Sequence, residues 1–368
     1  MNGILETGIS KVHNVNHYSI GEGSISELPL ELSRLRKKSN GKALYLVDEF
    51  FESNMEKLGD LGFIDEDFII YIQTKEEPTT QYVNDIYQTL IEEFPGEPCV
   101  VVGIGGGITM DCAKAISNLY TNGGKAEDYQ GWDLLSKPGV YKIGIPTISG
   151  TGAEATRTCV MTNKANGLKL GMNSDYSVFD RVIMDPKLSS TVPRNQFFYT
   201  GMDAYIHCIE SINGLHKNHI GRAFARETIN LCEEVFLSED MMSDENRIKL
   251  MTASYLGGCS IATSYVGLIH PFSAGLSVVL DIHHCEANCI VMRGMKEFYP
   301  KEFDVFWQMA HKQNIQIPSG ITKSLNNHQF DQLYDSMIIH EKPLFNALGD
   351  KFKELLTRGK VKEIYELM

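Results

Sequence analysis

The chain has 368 residues, enough for two cores, and its 43% apolar and 22% charged content excludes a disordered or fibrous protein. Thirty-four Lys and Arg against 47 Asp and Glu give a formal charge of −13, which argues against a nucleic-acid-binding face. No apolar run approaches the ~20 residues of a membrane helix, so no membrane partner is expected.

In chain order, Lys42 to Val47 is a short apolar run closed by Asp48, and Asp67 to Ile72 is a second. Cys99 to Val102, Tyr141 to Ile145 and Arg181 to Met184 follow as further strands. Between them, Tyr82 to Phe94 and Met110 to Leu119 carry apolar residues at helical spacing. Strands alternating with helices predict a parallel sheet covered on both faces. After Asp185-Pro186 the texture changes, and Arg194 to Ile212, His219 to Leu237, Arg247 to Tyr265 and Asp331 to Ile338 all read as helices. The expected organisation is an α/β dinucleotide-binding domain over 1–188 and an all-α domain over 189–368, with a tight hinge at Pro186 to Pro193. The opening stretch Met1 to Val15 has neither the basic lead nor the apolar core of a signal peptide. The eight cysteines form no CxxC pair and read as reduced thiols of a cytoplasmic protein.

Two turns invite a phosphate. The strand Cys99 to Val102 runs into Gly103-Ile104-Gly105-Gly106-Gly107 and a helix follows, a setting in which backbone N–H groups and a helix N-terminus face an anion. The GxGxxG spacing is absent, and a plain tight turn also fits. Asp111 sits in the first helical turn, where it can serve the helix dipole. After Tyr141 to Ile145 comes a second small-residue turn, Pro146 to Glu154, with Thr147, Ser149 and Thr151. Both turns close strands of one parallel sheet, where ligands of such folds bind. Asp48 also ends a strand. It is either a solvated loop acid or a ribose partner that favours NAD over NADP.

Asp203 and His207 lie four apart on a predicted helix, one turn from each other on one face. As a pair they also fit an exposed Asp–His couple. Far downstream stand His270 and the doublet His283-His284.

Taken together, the GGG loop with Asp111 behind it, the Thr147 to Glu154 turn, Asp185-Pro186 and the run Gly201 to Glu210 resemble the iron-containing alcohol dehydrogenase family over nearly the whole chain. That resemblance implies an N-terminal dinucleotide domain, a helical C-terminal domain, a metal in the cleft between them, and a homodimer. It implies Asp203, His207, His270 and His284 as ligands of a divalent ion, Fe2+ or Zn2+. Gly105, Gly106, Gly107, Asp111, Thr147, Ser149 and Thr151 become cofactor-binding residues for NAD(P), with NAD favoured, and Lys169 lies near the nicotinamide. Ile108 stands where the family usually has Ser, Ala274 where a further His is frequent, and His283-His284-Cys285 where Pro-His-Gly is usual. His283 then either shuttles the alcohol proton or lines the cleft.

Within the family, Tyr129 to Leu134, Ile143 to Thr158, Asn173 to Asp180 and Phe198 to Ser211 are similar to the branch that oxidises C8 of 3-deoxy-manno-octulosonate. That branch makes an aldehyde for an aminotransferase, on the way to an amino sugar of lipopolysaccharide. Arg157, Lys169 and Asn173 are the expected suppliers of a polar, cationic sugar-acid pocket, with an interior ion pair as the other reading of Arg157. Two rivals share the architecture: a dehydroquinate-synthase-like lyase, which takes a Glu and two His at its metal, and a non-catalytic nucleotide- or metal-binding module.

Overall fold

The computed structural model describes residues 12–39, 41–216 and 218–368. The stretch read as lacking a leader, Met1 to Val15, lies mostly outside them. The chain separates into an α/β unit, His13–Ser149 with Ala153–Thr191, and a helical unit that takes in Gly150–Gly152 and Val192–Met368. The division is therefore discontinuous, unlike the single cut expected after residue 188.

In the α/β unit, strands β1 (His17–Ile20), β2 (Ala43–Asp48), β3 (Phe68–Ile72), β4 (Val100–Gly105), β6 (Lys142–Pro146) and β9 (Arg181–Met184) form one sheet in the order β1-β9-β6-β4-β2-β3. Every pairing in it is parallel. Strands β4 and β6 are buried at every position, as expected of runs such as VVVGIG and KIGIP in a sheet covered on both faces. The helices are α1 (Leu28–Ser39), α2 (Thr80–Glu93) and α3 (Gly107–Asn122). Helix α2 begins where Thr79 Oγ1 accepts the Tyr82 N–H at 3.0 Å, a side-chain cap that follows the Pro78 turn.

A second sheet was not expected. Strands β5 (Gly131–Trp132), β8 (Leu168–Asn173) and β7 (Thr158–Asn163) lie in that order, with β7 and β8 antiparallel through a turn at Gly167, φ +70°. The expected hinge at Pro186 to Pro193 instead contains a 3-10 turn, Pro186–Ser189, capped by Asp185 Oδ1 accepting the Lys187 N–H at 3.1 Å.

The helical unit contains α4 (Arg194–Asn213), α5 (His219–Phe236), α6 (Asp244–Ile261), α7 (Ile269–Leu280), α8 (His284–Val291), α9 (Pro300–Lys312), α10 (Asn327–Ile338), α11 (Glu341–Leu348), α12 (Phe352–Leu355) and α13 (Arg358–Tyr365). Helix α4 is buried from Phe197 to Ser211, at the centre of a core with Phe236, Leu250, Phe272 and Ile290. Gly201 makes that closeness possible: a Cβ there would lie 2.5 Å from the Phe236 ring and 3.0 Å from Leu250. This packing holds α4, and with it Asp203 and His207, in one rotation about its axis. No helix of the described residues is long and apolar enough to cross a membrane.

Candidate active site

The parallel register of the α/β unit lines up the expected cofactor residues. Val47 stands opposite Ile104 and Gly105 opposite Pro146, so Asp48, the triple glycine and the Thr147 turn emerge at the same carboxyl edge. The Thr147 N–H donates to Gly105 O at 3.0 Å and ties the two turns together. A Cβ at Gly105 would sit 2.5 Å from Thr109 Oγ1, and one at Gly106 would sit 2.8 Å from Ile148. The glycines are thus required by packing. Gly106 offers no side chain to cap α3, so the first N–H groups of that helix remain available to an anion. The Ser149 hydroxyl, 2% exposed, has no hydrogen-bond partner among the described residues. A buried hydroxyl in that state costs about 1–3 kcal/mol, and a ligand oxygen would relieve it. These features fit a pyrophosphate. Thr151 falls with the helical unit rather than with this edge.

Asp48 is partly committed. Its Oδ1 accepts the Phe50 N–H at 3.0 Å, and burial pushes its carboxyl above the usual range. If it also meets a ribose, NAD will bind more tightly than NADP and Asp48→Ala will narrow the gap. Titration of nicotinamide fluorescence measures this, and equal affinities in the parent protein would reduce Asp48 to a turn cap.

Asp111, the other acid expected at the cofactor, is engaged with the small sheet. It is partly buried and accepts the Val160 N–H at 2.9 Å, so it braces α3 against β7. Burial pushes its pKa up to about 6 against the opposing pull of Lys114, whose ammonium is itself buried and donates to Thr156 O and Thr158 O at 2.9 Å each. The folded value lies above the ordinary 3.8, so the folded protein holds this proton more tightly than the unfolded chain. That stability is complete below about pH 4 and is lost as pH rises through about 6, a cost on the order of 2–3 kcal/mol once the group is ionised. Asp111→Asn keeps an acceptor for Val160 and cannot ionise. Urea unfolding should show the variant gaining on the parent at pH 8 and matching it near pH 4.

Lys169, on β8, forms an ion pair with Glu77 at 3.3 Å. The two other expected sugar-acid anchors are engaged within the small sheet. The Arg157 guanidinium pairs with Asp133 and, through Nε, with Asp175 at 3.3 Å. The Asn173 amide donates to Gly131 O and Gly171 O at 2.9 Å each. Both side chains serve the fold, and the pocket role expected for them is corrected accordingly.

In the helical unit, Asp203 Oδ1 lies 3.9 Å from His207 Nε2, 3.5 Å from His270 Nε2 and 3.7 Å from His284 Nε2. Ligands about 2.1 Å from a tetrahedral ion stand roughly 3.4 Å apart, so one carboxylate oxygen facing three ring nitrogens at these separations matches a divalent-metal donor set. Among the described residues, Asp203, His270 and His284 bring one donor atom each to within 4.8 Å of one another, and His207 stacks on His270 with ring centroids 4.6 Å apart. Burial opposes ionisation of Asp203, yet the imidazoles of His207, His284 and His270 outweigh it and hold the carboxyl far below its usual range. Burial would likewise neutralise His270, but Glu210 and Asp203 push it up to about 9. His207 moves the other way, lowered chiefly by burial. The doublet divides: His284 turns inward towards Asp203, and His283, just before α8, is exposed.

Three neighbours were not anticipated. Glu210 Oε2 lies 2.5 Å from His270 Nδ1, Asn288 Nδ2 donates to Asp203 Oδ1 at 2.7 Å, and Cys285 Sγ lies 3.8 Å from Asp203 Oδ2. Groups that hold ligands from behind fix ring orientation and proton placement. Asn288 is one helical turn from His284, a signal the sequence contained. Glu210 and His270 are 60 positions apart, and no spacing rule joins them.

Residues 16–186 match the iron-containing alcohol dehydrogenase family, and residues 197–342 match the C-terminal part of the Fe-containing alcohol dehydrogenase family. The NAD-dependent methanol dehydrogenase of Bacillus methanolicus is 30% identical over 283 residues, 74% of this chain and 71% of that one. The chain belongs to the iron-containing alcohol dehydrogenase family. The sulfoacetaldehyde reductase of Bilophila wadsworthia is 29% identical, over 73% of this chain and 70% of its own. Among solved structures, 1,3-propanediol oxidoreductase superposes with a TM-score of 0.82 at 20% identity, covering 96% of this chain and 99% of its own. Sulfoacetaldehyde reductase from Bifidobacterium kashiwanohense in complex with NAD+ gives 0.76 at 20% identity, covering 96% and 97%. The fold, an α/β unit with a helical unit, is that of the family. This iron-containing alcohol dehydrogenase is an oxidoreductase of a family that works on alcohols and aldehydes with NAD(H) and a divalent metal. The lyase and non-catalytic readings give way to it.

Proposed function

We propose that this chain oxidises a primary alcohol to an aldehyde with NAD, at a divalent metal held by Asp203, His207, His270 and His284. One observation carries the reading: a single buried carboxylate oxygen faces three imidazoles at 3.5–3.9 Å. Asp203, His207, His270 and His284 would hold a divalent ion that would acidify an alcohol, and NAD would supply the hydride acceptor. The protein's part is to keep the donors buried and oriented. Glu210 and Asn288 do this from behind, while the free N–H groups of α3 and the Ser149 hydroxyl receive the dinucleotide. His283 is exposed and suits proton exchange with solvent better than ligation.

Within that class we infer a sugar acid, with oxidation at C8 of 3-deoxy-manno-octulosonate or a close relative. Support comes from the resemblance through Tyr129 to Leu134 and Asn173 to Asp180. Those stretches are adjacent in the fold: Gly131 pairs with Met172, Trp132 pairs with Asn173, and Arg157 spans Asp133 and Asp175. A homodimer, a cytoplasmic location and a downstream aminotransferase belong to the same reading. All eight cysteines are free, in keeping with a reducing compartment.

The test is product analysis of metal-loaded enzyme with and without NAD, under argon and under air. The octulosonate should lose two hydrogens at C8, giving an aldehyde trapped by a hydrazine reagent. Ethanol and simple diols should be poorer by about 10⁴-fold, because a site built to pair hydroxyls strands its own polar groups on them. Rapid turnover of small alcohols with none of the sugar acid would remove the branch assignment and leave the dehydrogenase. Turnover under air without NAD would make oxygen the acceptor.

A further inference from the structure

Glu210 lies on α4 one turn beyond His207 and is 1% exposed. Both of its oxygens are engaged. Oε1 accepts the Ile269 N–H at 2.5 Å, and Oε2 lies 2.5 Å from His270 Nδ1. Ile269 opens α7 and His270 follows it, so one carboxylate holds both the start of that helix and the imidazole it carries. An ionised carboxylate only accepts hydrogen bonds, and a backbone N–H only donates. His270 therefore presents a proton at Nδ1, and a second ring proton, at Nε2, is the one a metal would displace. Its Nε2 is buried without a hydrogen-bond partner among the described residues, and it is this atom that points at Asp203 Oδ1, 3.5 Å away.

We propose that Glu210 sets the tautomer of His270, holding the ring proton on Nδ1 so that Nε2 carries the lone pair that meets the metal. Glu210 is then a positioning residue of the metal centre, acting through His270. The proposal rests on the reading above that His270 is a ligand.

Replacement by glutamine exposes the logic, because the shape is kept and one acceptor becomes a donor. If the glutamine carbonyl takes the fixed Ile269 N–H, its amide faces His270 Nδ1. That nitrogen must then accept, the proton moves to Nε2, and the metal loses its lone pair. If the amide is reversed, two N–H donors oppose each other at Ile269, and the start of α7 is disturbed. A buried mismatch of either kind has no neutral solution.

The experiment measures zinc affinity by chelator competition in the parent, Glu210→Gln, His270→Ala and the double variant. Changes behind metal ligands commonly cost 10–100-fold in affinity. A loss of that size in Glu210→Gln, with no further loss when the same change is made in His270→Ala, is the expected result. Equal losses in both backgrounds would mean that Glu210 acts only as a cap of α7, and the proposal would fall. Parent-like affinity in Glu210→Gln would overturn it as well. A second readout needs no variant: nitrogen NMR of zinc-loaded, 15N-histidine-labelled protein must show His270 bound through Nε2 with a protonated Nδ1. Binding through Nδ1 refutes the proposal. Parent-like affinity in His270→Ala would instead remove the ligand reading itself, and the proposal with it.

Discussion

His284→Ala is expected to lose about 10²-fold or more in metal affinity, and nearly all alcohol oxidation with it, while His283→Ala keeps its metal. Four-ligand zinc sites bind with ~10–16 kcal/mol, so one ligand is worth about 3 kcal/mol, or a little more than two decades in affinity. The adjacent histidines differ in orientation rather than chemistry. His284 Nε2 stands 3.7 Å from Asp203 Oδ1, with Asn288 Nδ2 3.2 Å away, whereas His283 is exposed. Metal analysis of anaerobically purified variants gives the answer. Metal retained by His284→Ala and lost by His283→Ala would reverse the assignment of the doublet.

Gly150→Ala should be among the most damaging single-methyl additions in the chain. A Cβ at this position would stand 1.6 Å from Thr200 O, and its backbone, at φ +149°, lies where side chains are rarely accommodated. The obstacle is backbone on α4, which cannot rotate away, and α4 carries Asp203 one turn further along. A cost above ~3 kcal/mol is expected, with loss of activity, because relieving the clash must displace the helix that supplies the carboxylate. Gly167→Ala is the control. It shares a positive φ, +70°, but meets nothing within 4 Å, so only ~1–2 kcal/mol of backbone strain applies. Urea unfolding of the two variants separates steric from conformational cost. Similar losses would show that α4 gives way more easily than its burial implies.

Asp203 and His207 were legible as a pair one helical turn apart, which an exposed couple also fits, and only the family resemblance joined His270 and His284 to them. Five strands of the main sheet, β2, β3, β4, β6 and β9, were legible for a different reason, being short apolar runs. Strand β1, His17–Ile20, gave no such signal, since it is an edge strand with most of its residues exposed. Strands β7 and β8 mix Thr, Asn, Lys and Gly with apolar residues, so neither a clean alternation nor an apolar run marks them. Helix α7 was not read from its own residues, and only the family pattern set His270 on a helix. Pro271 reads as a breaker, but in a first turn it costs no hydrogen bond. Arg157 shows the limit from the other side. A lone cation near a supposed pocket has two readings, and only the positions of Asp133 and Asp175 decide between them.

The turn at Gly150–Gly152 belongs with helices made much later. The Gly152 N–H donates to Ser254 Oγ at 3.3 Å, across 102 positions of sequence. A ribosome adding ~5–20 residues per second reaches that serine roughly 5–20 s after it has passed the glycine. For all that time Gly152 waits without its Ser254 partner, while the strands before it are already made. Codon choice or chaperone supply over residues 153–254 should therefore affect the yield of active enzyme more than the same changes made after Ser254.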